Sequence, residues 1–85
     1  MGGVIALEDS IRRIDVIDDH LLKLELSSGS IALVNMRRRM IGIRFQALSD
    51  PNVFRTVRSD GDFAVWRTPG GELRASVREL LDTML

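Results

Sequence analysis

The sequence predicts an α+β domain whose elements run β-β-β-α-β-β-α around one core. Three observations predict it. Period-2 alternation of apolar and polar residues dominates the stretch after residue 10, helix-start signals stand at Asn35, Asp50 and Ser76, and turn residues punctuate every interval between them. With 45% apolar and 28% charged residues, the composition is that of a globular chain rather than a disordered one. The 85 residues read as a single domain, 1–85, with residues 1–10 either frayed or contributing an extra strand or helix.

The elements follow in order. Ile14 and Val16 alternate with Arg13, Asp15 and Ile17, which predicts a first strand near 12–17, and Asp18-Asp19 is turn chemistry. Leu22, Leu24 and Leu26 alternate with Lys23 and Glu25, a strand with one buried and one wet face. Ser27-Ser28-Gly29-Ser30 turns the chain, with Gly29 free to take positive φ, and Ile31 and Leu33 begin the third strand of an antiparallel meander. Asn35 has the side chain of a helix N-cap, predicting a helix over about 36–48. At 100° per residue its apolar positions make two stripes: Met36, Met40, Ile43 and Ala47, and then Ile41, Phe45 and Leu48. A helix facing one core carries one stripe. Two stripes imply a second face for a partner, or else a helix sunk into the core with arginines reaching out to water.

Asp50-Pro51 repeats the start signal, Asp as cap and Pro at the first helical position, for a short turn through Val53 and Phe54. The runs 55–58 and 63–66 flank Ser59-Asp60-Gly61-Asp62, predicting a hairpin on a tight primed turn. Thr68-Pro69-Gly70-Gly71 suits a type II turn, and Glu72-Leu73 a short edge strand. Ser76-Val77-Arg78-Glu79 is a capping box, behind which Val77, Leu80, Leu81 and Met84 form one stripe of a final helix.

Bulk properties narrow the function classes. The chain lacks cysteine, which removes thiol catalysis, thiolate metal sites and disulfides and fits a reducing cytoplasm. It has no apolar run long enough to span a membrane, and its start lacks the basic lead-in of a signal peptide. Net charge is zero but unevenly spread. Residues 1–35 hold six acids against three bases, 36–58 six arginines against Asp50 alone, and 59–85 five acids against three arginines.

The order of elements and their punctuation resembles the bacterial and phage domain-of-unknown-function family numbered 2442. Asp19-His20-Leu21 opens the alternating strand that ends at Gly29. Phe45, Leu48, Asp50-Pro51 and Phe54 follow, and a late Val65-Trp66 strand leads to a Pro/Gly turn and Leu73. The resemblance covers roughly residues 11–81. It departs where Arg67 and Thr68 separate Trp66 from Pro69, and where Ser28 stands in place of an acid before the turn glycine. It implies a compact α+β fold and brings no catalytic residues with it. Some similar proteins carry a helix-turn-helix after this domain, and others neighbour small genes in toxin–antitoxin-like arrangements, which implies partner binding or regulation.

Among candidate sites, His20 is the sole histidine, with no second ligand at metal spacing and no nucleophile in its context. Asp60 and Asp62 echo a calcium loop that lacks its remaining ligands. Gly70-Gly71 lacks the trailing lysine of a phosphate cradle. Neither an enzyme, a cofactor, a metal nor a small-molecule substrate is therefore expected. Trp66 alternates with Val65, so one of the two faces away from the core, and Trp66 there would anchor an interface. The basic island of Arg37, Arg38, Arg39 and Arg44, with Met36, Met40 and Ile43 beside it, is the constellation of most substance. It suits an interaction module that self-associates as a homodimer or binds a small protein. The alternative is a nucleic-acid-binding accessory, which successive residues 100° apart on a helix serve poorly.

Overall fold

A computed structural model describes residues 10–82, so the readings for residues 1–9 and Met84 lie outside the described residues. The fold is α+β in the expected order. Strands β1 (Ile11–Val16), β2 (Leu21–Leu26) and β3 (Ile31–Asn35) form one antiparallel sheet in the order β1-β2-β3. Strands β4 (Arg58–Ser59), β5 (Phe63–Thr68) and β6 (Gly71–Ser76) form the second, in the order β4-β5-β6. The sheets meet where β1 touches the β4–β5 turn. The Ile11 amide donates to the Gly61 carbonyl at 2.6 Å, and the Ser59 hydroxyl to the Ile11 carbonyl at 2.7 Å.

Alternation builds the core. Leu22, Leu24 and Leu26 are fully buried, flanked by Ile11 on β1 and by Ala32 and Val34 on β3. From the second sheet come Ala64, Trp66 and Ala75, with Val77 and Leu80 of helix α3 (Val77–Leu81). Trp66 does not face solvent. Fully buried, it stacks on Phe54 at 6.5 Å and meets Phe45 edge-on at 6.4 Å, so burial of its ring area removes it from any interface role. Val65, on the opposite face, is buried too, and its cross-strand neighbours are Arg58 and Arg74, whose guanidinium groups pair with Glu72.

The single helix over 36–48 does not form. Helix α1 spans Arg37–Met40, and a 3-10 helix spans Ile43–Ser49. Between them Gly42 is extended, at φ −76° and ψ 153°. Glycine in a helix interior costs about 1 kcal/mol relative to alanine, and two flanking isoleucines add no helical preference. The two-stripe geometry therefore disappears. Met36, expected on a stripe, is fully buried, its amide donating to the His20 carbonyl at 2.8 Å.

Shorter signals hold. The Asp50 side chain caps α2 (Pro51–Phe54) by accepting from the Asn52 amide, whereas the cap position of α1 falls on Met36, and Asn35 Oδ1, one residue earlier, accepts from the Arg37 amide at 2.9 Å. Ser76 and Glu79 close both halves of the capping box on α3. The first hairpin turn is primed as expected, and the second differs in type. Gly61 (φ +74°) sits at the first central position of its two-residue loop, as a type II′ turn requires. After Thr68 the positive φ falls on Gly71 (+128°) rather than Gly70, which is the glycine position of a type I turn. The pairing that follows runs to Ser76, well beyond the expected Glu72-Leu73 edge.

Candidate interaction surface

The basic island does not act as one patch. Arg44 leaves the arm made by α1 and the 3-10 helix and forks onto Glu79 of α3, bonds the Arg74 carbonyl at 2.7 Å, and lies over the Phe45 ring at 4.6 Å. Arg39 bonds the Glu79 carbonyl at 2.8 Å while its Nε is buried without a partner among the described residues. Those two arginines tie the arm to α3. The Arg44 guanidinium holds the Glu79 carboxyl below its usual range, with the Ser76 amide adding to the effect against partial burial.

Arg37 and Arg38 remain exposed. Arg38 makes no ion pair among the described residues. Arg37 turns back toward the β1–β2 turn, its Nη2 lying 3.1 Å from His20 Nδ1, while Asp19 Oδ1 lies 2.7 Å from the same nitrogen. One ring nitrogen cannot serve both. Carrying a proton it donates to Asp19, and bare it accepts from Arg37. The hydrogen bond from His20 holds the Asp19 carboxyl below its usual range, helped by the charge of Arg37.

These groups border an open cleft of about 420 Å³ lined by Asp19, His20, Arg37, Met40, Ile41 and Ser49. A groove of about 460 Å³ continues from Asp19 past Val16, Ile17 and Asp18 to Pro51 and Arg55. Asp18, Asp19 and His20 offer ligand atoms within 4.8 Å of one another. The set suits a cation poorly, because a guanidinium already faces the histidine nitrogen and the Asp19 amide already bonds Asp18 Oδ1 at 2.7 Å. Ser49 shares the cleft with Asp19 and His20, but among the described residues no hydrogen bond joins its hydroxyl to the imidazole. The pairing that would activate it as a nucleophile is not made.

Above the cleft stand Ile41 and Ile43, 83% and 94% exposed on either side of Gly42. Of the sequence candidates, Ile43, Arg37 and Arg38 thus lie together on one exposed arm, with Met40 half-buried at its root. Met36 and Trp66 belong to the core, and Arg39 and Arg44 to the contact with α3. Ile41, on the second stripe in sequence, is the exposed residue of the arm that stripe geometry does not single out. The signal was the glycine between two β-branched residues, which argues for a break that turns both outward.

Comparison of the chain with protein-family models, with curated proteins and with solved structures finds no match in any of the three.

Proposed function

We propose that this chain is a non-catalytic protein–protein interaction module that binds a small partner protein through the arm at 37–43. The supporting observation is the near-complete exposure of Ile41 and Ile43 on a segment whose base is firmly held. Scattered single apolar residues are ordinary on protein surfaces, whereas two isoleucines on one projecting turn beside exposed positive charge are the anchor-and-rim arrangement of an interface. Arg37 and Arg38 fit carboxylates around an apolar pocket on the partner, and the Asp19–His20 cleft receives its edge.

The nucleic-acid reading loses support because Arg39 and Arg44 are occupied by Glu79, leaving two of the four island arginines for phosphate. Photo-crosslinking tests the proposal. A benzophenone amino acid at position 43 yields one discrete heteromeric adduct in host cells, and Arg38→Glu diminishes it. The absence of a discrete adduct, or an adduct with nucleic acid, overturns the reading.

A further inference from the structure

The hydrogen-bond phase of the first sheet leaves the outer side of β3 without a strand partner among the described residues. The Leu26 amide bonds the Ser30 carbonyl at 2.9 Å, and the Met36 amide the His20 carbonyl at 2.8 Å. In an antiparallel ladder bonded pairs recur every second residue. Ser30, Ala32, Val34 and Met36 therefore direct their backbone groups at β2, and Ile31, Leu33 and Asn35 direct theirs away from it. Among the described residues no strand takes them up, since β3 is the last strand of its sheet. The side chains of Ile31 and Leu33 lie on the sheet's outer face, 50% and 40% exposed. β3 reads Ile-Ala-Leu-Val-Asn, with no charge, no proline and no bulge. Edges that must stay single carry such a device or lie under a helix or loop; α3 touches β3, yet Ile31 and Leu33 remain accessible.

We propose that this edge pairs with a second copy of the chain, β3 against β3 antiparallel, the two-fold axis passing at Ala32. The proposal stands independently of the reading of the 37–43 arm. Aliphatic matching selects the register, with a weaker long-range charge term that acts at low salt. On the outer face, the register rows run Arg13–Glu25–Ile31 and Asp15–Lys23–Leu33. Pairing about Ala32 sets Ile31 against Leu33 of the other copy, so that each row continues from Glu25 across two aliphatic side chains to a lysine. Both rows then join opposite signs. Pairing about Leu33 instead would leave Lys23 facing its own copy across two leucines and set Ile31 against an asparagine. The strand is thus complementary to itself in one register. Ala32 and Val34 stay in their own core, and the joined sheet has six strands. A five-residue strand is only about 17 Å long, so the seam falls short of the roughly 1,200 Å² of total area that marks a stable interface. The association is therefore weak and depends on concentration.

Sedimentation equilibrium over a wide concentration range tests this. The weight-average mass of the wild type rises from monomer toward dimer, and Leu33→Lys, whose site is exposed, weakens the dimer at least tenfold with an unchanged circular dichroism spectrum. Lys23→Glu and Glu25→Lys each weaken it, and the double exchange restores it. Ile43→Asp leaves it untouched. A monomer at every concentration overturns the proposal. So does a dimer lost with Ile43→Asp but indifferent to Leu33→Lys, which would move the seam to the arm. Dimerisation that appears only after removal of residues 1–9 also overturns it, by giving the edge to that segment.

Discussion

The two sheets end in edges that receive opposite treatment. On β6 the ladder phase, fixed by the bond of 3.2 Å from the Val77 amide to the Asp62 carbonyl, turns Glu72, Arg74 and Ser76 outward. That edge is charged. Glu72 pairs with Arg58 and, at 3.7 Å, with Arg74, which also lies 3.7 Å from Asp60. Arg44 caps the outward Arg74 carbonyl, and the capping box turns the chain off the edge at Ser76. On β3 the equivalent outward groups stand beside Ile31 and Leu33, with no charge within the strand. An unpaired edge is a template for another strand, and burying it behind charge is how a protein declines the offer. Among the described residues the β6 edge is guarded by charge and the β3 edge is not. The difference favours β3 as the side meant for company.

The largest way to break this contrast is to remove the guard. Arg44→Ala takes away the fork to Glu79, the cap on the Arg74 carbonyl and the contact over Phe45 at once. An exposed ion pair alone contributes little, but the bidentate geometry and the bonded carbonyl raise the loss to about 1–2 kcal/mol. For a domain of this size the melting temperature falls by roughly 5–15 °C. Scanning calorimetry at a protein concentration where the wild type is monomeric measures it, and a drop below one degree would mean that Arg44 only rests on the surface.

A smaller effect isolates the charge. Glu79→Gln keeps a group able to complete the capping box and removes the ion pair, costing about 0.5–1 kcal/mol at pH 7. Because Arg44 lowers the Glu79 carboxyl from its ordinary value of 4.5, the folded state favours the ionised form. That contribution is complete above about pH 4.5 and fades as the pH falls through the lower value in the folded chain. The stability difference between wild type and Glu79→Gln should therefore close in acid. Denaturant melts at pH 7 and at pH 3 check it, and a gap that stays constant would put the role of Glu79 in its shape alone.

What was legible in the sequence was local. Asp50 and Ser76 cap their helices through bonds two and three residues away, whereas Asn35 bonds the Arg37 amide from one residue before the cap position, which Met36 holds. The Leu22–Leu24–Leu26 alternation named its buried face because the other face is wet. The helix over 36–48 failed because projecting residues at 100° presumes a helix, and Gly42 denies it. Alternation does not decide which of Val65 and Trp66 meets the core, and it cannot reveal that both faces of β5 are buried there. The island arginines looked alike in sequence, and only the approach of α3 separates Arg39 and Arg44 from Arg37 and Arg38. The open edge was invisible for the same reason. Which strand ends a sheet is a property of the whole chain's pairing.

The finest test converts one edge into the other. Glu72 is exposed, and surface pairs of its kind contribute little to folding, so Glu72→Val should leave the denaturant midpoint almost unchanged in dilute solution. The Arg58 partner holds the Glu72 carboxyl below its usual range, yet water surrounds it, and its loss relieves Arg74 of a counter-ion without opening the core. What changes is the company the strand can keep. Valine at 72 places a β-branched residue at an outward ladder position, and the β6 edge then resembles β3. Sedimentation of Glu72→Val in the Leu33→Lys background, where the proposed β3 seam is closed, should show association that Leu33→Lys alone lacks. If that double variant stays monomeric at high concentration, then the Arg44 cap and the turn into α3 are sufficient guards. Charge on β6 would then be incidental, and the bare edge of β3 would have to be explained by its missing cap rather than by its missing charge.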